Sequence, residues 1–218
     1  MGNYDLFRTI AKSNLTAKER EVDQIKYDIY RDFYNSPSYE SVLIDGINRD
    51  VQIVSDKKDN KNILSLPNET FSVGEIVTWN NNKFLITDVD EDQKVQTNGK
   101  ITLCNNTISL YKNNILYQIP IVVESGVRLY MLGTEDNKYI ETPSTTIVVR
   151  VSNNEITQLI KRNDVYKIGR QNWKVVDTND ILEPGILILK LEYYAGENIT
   201  ETVEDVVVPN PDKPKTLF

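Results

Sequence analysis

The sequence predicts a mainly β fold of barrel- or sandwich-like hairpins, with an N-terminal α-helix and an extended C-terminal arm. Three observations carry that prediction. An apolar stripe at helical spacing precedes Pro37, short β-rich runs separated by Asp-Gly, Asn-Gly and Asn-Asn pairs follow it, and Pro209, Pro211 and Pro214 interrupt the end. The organisation expected is a helical segment over 1–37, a first β unit over 38–120, a second over 121–196, and the arm over 197–218.

The helix is announced by Thr16-Ala17-Lys18-Glu19, a capping box in which the Thr hydroxyl and Glu carboxylate each satisfy a backbone N–H that the first turn leaves unpaired. Val22, Ile25, Ile29 and Phe33 then fall on one face, and the helix should end near Asn35, ahead of Pro37. Tyr27, Tyr30 and Tyr34 make a second stripe. Either these tyrosines sit half exposed beside a stripe packed on the sheet, or they meet a neighbouring subunit, which makes them candidate interface residues.

Hairpins are expected next. Val42 to Ile44 and Ile47 to Val54 flank Asp45-Gly46, a pair suited to the positive φ angles of a type I′ turn. Asn98-Gly99 should likewise join 94–97 to 100–103, Asn113-Asn114 should join 108–110 to 115–119, and Asn153-Asn154 should join 147–151 to 156–160. An internal echo also stands out: Val77 to Asp88 aligns without gaps on Tyr166 to Asp177, each a strand, a polar turn and a strand opened by an aromatic. Two related β units, or a chance likeness between hairpins, would both give that pattern. In the last stretch the prolines remove ladder donors, so an arm that orders against a partner is expected, with Val206, Val207, Val208 and Phe218 as candidate interface residues.

Composition narrows the function. A net charge of −7 and a pI near 4.8 oppose a general phosphate-binding surface, so sequence-specific nucleic-acid binding is not expected. Lys57, Lys58 and Lys61 are interleaved with Asp56 and Asp59, as in a solvated loop. With Cys104 the only cysteine, no intrachain disulfide can form. No basic-then-apolar leader or spanning apolar stretch is read, so the sequons beginning at Asn14, Asn68, Asn105 and Asn198 are expected to stay unglycosylated.

The chain contains no histidine, which removes the commonest general base, the Ser-His and Cys-His pairs and the commonest metal ligand. A non-enzymatic protein without cofactor, metal or catalytic residues is therefore expected. Asp88, Asp90 and Asp92 alternate like the opening of a calcium loop, but Gln93 stands where the turn glycine belongs and Gly99 where the bidentate Glu belongs. The loop reads as a solvated acidic turn. Trp79 and Trp173 fall at strand period and are expected in the core; exposed, they would instead form aromatic platforms for a carbohydrate- or receptor-binding module.

The segments Phe71 to Trp79, Lys83 to Asp88, Asn98 to Ile101 and Leu103-Cys104-Asn105-Asn106-Thr107 resemble a family of small structural proteins. That family is encoded in the head-to-tail module of phages infecting low-GC Gram-positive bacteria, and the similarity runs in order over about residues 60–195. The resemblance implies a virion protein of the neck, such as a head-completion or connector protein forming a six-fold or twelve-fold ring of its own copies. Its neighbours would be the portal and adjoining connector or tail proteins, with genomic DNA passing through the ring. It transfers no catalytic residues.

Overall fold

The computed structural model describes residues 16–56, 59–90, 95–112, 115–124, 127–131, 139–143 and 145–196. Helix α1 (Ala17–Phe33) begins at the expected capping box: Thr16 Oγ1 accepts from the Glu19 backbone N–H at 3.3 Å, and the Thr16 N–H donates to Glu19 Oε2 at 2.6 Å. Those bonds to the carboxylate hold Glu19 below its usual pKa. Only Phe33 of the apolar stripe is fully buried, whereas Val22 and Ile29 are half buried and Ile25 is exposed. The stripe is buried most fully at its C-terminal end.

Six strands then form a closed antiparallel barrel: β1 (Tyr39–Ile44), β2 (Ile47–Ser55), β3 (Asn60–Ser65), β4 (Ile76–Trp79), β5 (Asn82–Asp90) and β6 (Asn98–Leu103). Their order is β1-β2-β3-β6-β5-β4, and β4 returns to β1 through Leu43↔Thr78 and Ile44↔Val77. The Asp45-Gly46 turn has the two positive φ angles expected of it, 47° and 81°. Inside lie Val42, Ile44, Val51, Ile63, Val77, Phe84, Ile86 and Ile101. Fully burying an aliphatic side chain of this kind stabilises a fold by about 1.5–3 kcal/mol, so the interior of this barrel is its main source of cohesion.

The second sheet repeats the same path. Its strands are β7 (Asn106–Lys112), β8 (Ile115–Glu124), β11 (Thr146–Ser152), β12 (Val165–Ile168), β13 (Gln171–Asn179) and β14 (Ile186–Tyr194), with the separate hairpin β9 (Val127–Met131) and β10 (Tyr139–Pro143) inserted after β8. Its order, β7-β8-β11-β14-β13-β12, is that of the first barrel with each strand replaced by its counterpart. The likeness extends to single bonds. Gly74 N–H donates to the Ile86 carbonyl and Ile86 N–H to that of Glu75; 89 positions on, Asn163 N–H donates to Val175 and Val175 N–H to Asp164. Both Gly74 and Asn163 have positive φ, and both second strands shift register just after, between Ile86 and Asp88 and between Val175 and Asp177. The internal echo is a repeated fold.

Three expectations need correction. Asn98-Gly99 is not a turn but part of β6, where Gly99 pairs with Ile63 and Val89. A glycine is needed there because a Cβ would meet the Phe71 ring and the Asp88 carbonyl. Asn153-Asn154 opens no hairpin: the segment turns into a 3-10 helix at Thr157–Leu159, since Asn154 Oδ1 accepts from the N–H groups of Ile156 and Thr157 at 3.0 and 3.1 Å. The boundary expected at residue 120 falls inside β8, and the sheets part instead at Cys104 and Asn105. The β7–β8 hairpin forms as expected, closing at Lys112↔Ile115, although Asn113 and Asn114 themselves lie outside the described residues.

Candidate functional site

Two features on this scaffold are built from residues that neither barrel interior requires: the joint between the units and an aromatic apron at the base of α1. The joint starts from a break in strand alternation. Phe84, Leu85 and Ile86 are buried in succession, so that Leu85 points out of the first barrel and meets Val122 and Ile186 of the second sheet. Lys174 holds the equivalent position in the second unit. Val73, Ile76, Cys104 and Ile188 surround this contact.

Polar groups fix its geometry. Gly74 and Gly185, both at positive φ, lie so close that a Cβ on Gly74 would overlap the Gly185 carbonyl, and one on Gly185 would overlap that of Val73. Asn105 Nδ2 donates to the Val123 carbonyl while Asn105 Oδ1 accepts from the Val123 N–H, both at 2.9 Å. The Arg150 guanidinium spans Glu124 at 3.3 Å and Glu183 at 3.1 Å. A cleft of about 620 Å3 opens beside the joint, bounded by Phe71, Val73, Val89, Asp90, Pro184 and Gly185.

Chemistry at the joint is weak. Burial pushes the Cys104 thiol up to about 12, against a slight opposing pull from Lys83. At pH 8 roughly one such thiol in ten thousand is ionised. Native protein should therefore resist a thiol-specific disulfide reagent at pH 8 and react stoichiometrically once unfolded in guanidinium; rapid labelling of the folded chain would contradict this placement. The Tyr166 phenol is likewise raised, by burial and by Asp164 at 3.1 Å, and stays protonated.

The acidic run opens at Asp88, 4.0 Å from Lys100, while Asp92 lies outside the described residues. Among the described residues no group of three His, Cys, Asp or Glu side chains is placed to hold a metal. No described helix is long and apolar enough to cross a membrane.

The apron gathers the predicted tyrosines unequally. Tyr30 stands edge-on to Tyr34, and Tyr34 to Phe33 and Tyr39, with centroids 5.2–6.2 Å apart. Asp50 accepts from the Tyr34 and Tyr39 hydroxyls at 3.2 and 3.1 Å, tying the end of α1 to β2. Desolvation and the Asp50 charge raise both phenols. Tyr30 and Tyr34 remain about half exposed, at 55% and 45%, and Tyr27 is half buried. Val206, Val207, Val208 and Phe218 lie outside the described residues.

The strands from β5 onward, with the joint they carry, can now be set against known families. Residues 85–192 match the YomX C-terminal domain. This is a phage-associated family, and the match supports a phage protein. The YomX-like segment spans just under half the chain and includes Leu85, Asn105, Val122, Arg150 and Gly185, hence nearly the whole joint apart from the Gly74 turn. Among solved structures the chain is similar to MrkH, described as a novel c-di-GMP dependence transcription regulatory factor. The identity is 11% over 80% of this chain and 82% of that one, with a TM-score of 0.21. No curated protein matches.

Sequence reasoning singled out the tyrosine stripe but missed the joint. Two signals pointed to it: the unbroken apolar runs Phe84-Leu85-Ile86 and Ile186-Leu187-Ile188-Leu189, too apolar for strands with one wet face.

Proposed function

We propose that this chain is a non-catalytic structural protein of a tailed-phage particle, a ring-forming component of the head-tail interface that contacts the portal and adjoining connector or tail proteins. The observation that carries the reading is the YomX-like segment, which runs from β5 of the closed barrel through a second six-stranded sheet of the same strand order, with the two units clamped at a glycine-tight joint. A particle component must keep its shape under load, and close packing between barrels supplies that stiffness without chemistry. The half-exposed Tyr34, anchored through Asp50, and Tyr30, edge-on to it, offer rigid aromatic area of the kind enriched at subunit contacts. A net charge of −7 suits a ring through which DNA passes without sticking.

Cryo-electron microscopy of the assembled particle tests this reading. Six-fold or twelve-fold density for this chain at the neck is the expected result, and its absence from purified particles would overturn it. The rival role, carbohydrate or receptor binding on aromatic platforms, retains only a partly buried Trp79 of its two tryptophans. Trp173 is in the core of the second unit, and Trp79 lies against Phe84 at 5.9 Å with Lys61 over its ring.

A further inference from the structure

The two units share a strand order but not its closure. The first sheet closes where β4 returns to β1, and the second, among the described residues, is not closed by a ladder between β7 and β12. Closure is thus a property of the first unit and not a demand of the chain path. The seam that supplies it is short. β1 meets β4 through Leu43↔Thr78 and Ile44↔Val77, whereas it pairs with β2 along its whole length, from Tyr39↔Gln52 to Ile44↔Ile47.

One side chain extends the seam. Asp45 follows Ile44 and faces Ile76, and its N–H donates to the Ile76 carbonyl at 3.0 Å, as in a regular antiparallel pair. The return bond is different. Asp45 sits at φ 47° to make the type I′ turn, a conformation that takes its own carbonyl out of the ladder, and the Ile76 N–H donates instead to Asp45 Oδ1 at 2.9 Å. The carboxylate stands in for a backbone carbonyl, so one residue serves both the turn and the seam. Hydrogen bonds to a charged acceptor are among the stronger ones.

What this bond fastens is the wall between the two units. Ile76 pairs with Leu85 across β4 and β5, and both pack in the joint, close after the Gly74 turn. Behind the seam lie the fully buried Ile44 and Val77, so parting β1 from β4 would open the barrel interior beside the joint.

We infer that the Asp45 carboxylate is the latch of the first barrel. Engaged, it closes the β1–β4 seam and holds Ile76 in the joint; released, it lets the barrel part along that seam ahead of its longer ladders. The latch belongs to the molecule itself and stands with or without a place in a particle.

Native-state hydrogen exchange of the full chain tests it with two variants. Asp45→Gly removes the acceptor and keeps the fold, because Gly-Gly is also favoured in this turn, and Asp45→Asn keeps both acceptor and turn. In Asp45→Gly the amides of Ile76, Thr78 and Leu43 should exchange about tenfold faster or more, and that of Gly74 should follow as the joint loosens. Ile53 and Ile63, paired between β2 and β3, should keep wild-type rates, and Asp45→Asn should match wild type throughout. Unchanged exchange in Asp45→Gly, or a change confined to the Ile76 amide, would leave Asp45 a turn residue and overturn the latch. An equal rise at Ile53 and Ile63, or an Asp45→Asn variant as fast as Asp45→Gly, would overturn it as well.

Discussion

Replacing Gly74 with alanine is expected to lower the unfolding free energy by about 3 kcal/mol or more. Two costs combine. The φ of 93° lies where L side chains are strained, and the added Cβ would occupy the place of the Gly185 carbonyl oxygen. Neither atom can yield alone, because both belong to backbone fixed by hydrogen bonds, Gly74 N–H to the Ile86 carbonyl and the Gly185 carbonyl to Asn153 N–H. Gly46→Ala supplies the control: its φ is 81°, yet nothing lies within 4 Å of a Cβ there, so only the backbone cost of roughly 1–2 kcal/mol should appear. Equal losses for the two variants in urea unfolding would show that the joint is not tight at Gly74.

Trp173→Ala is expected to cost about 3–5 kcal/mol, the range for deleting a large aromatic from a packed core. Trp173 is 8% exposed, stands edge-on to Tyr193 at 6.3 Å, and lies among the buried aliphatics of the second unit. Trp79→Ala should cost clearly less, because its ring is only partly buried and its indole N–H has no partner to lose. The order of the two losses decides between core and platform roles. A Trp173 variant of wild-type stability, with quenching of the Trp173 fluorescence by added glycan in the parent chain, would return the binding-module reading to the front.

Much of the fold was legible because its local chemistry is strong. A capping box has one structural meaning, Asp45-Gly46 satisfies one turn type, and the aligned segments from Val77 and Tyr166 preserve strand period through a hairpin. The turn inside the second segment even solves the same reversal differently: Gly169 alone takes positive φ where Asn80 and Asn81 both do. What failed was tertiary in origin in one case and local in the other. Gly99 looks like a turn residue until the Phe71 ring is seen to need its missing side chain, and Asn153-Asn154 resembles a hairpin pair until the Asn154 side chain captures two N–H groups. The joint was legible only in the unbroken apolar runs that mark strands covered on both faces, not in what covers them. Nothing in a single strand tells an outward-facing Leu85 that a second barrel will cover it.

That arrangement has a consequence for synthesis. All six strands of the first barrel leave the ribosome before β7 begins, so this barrel can close while the rest is still being made. Until Val122 and then Ile186 emerge, Leu85 and the Gly74 turn present a bare apolar face to solvent. Nascent or prematurely ended chains are thus adhesive in a way the finished molecule is not, and a pause in translation ahead of β14 would prolong the interval in which they can be captured by one another.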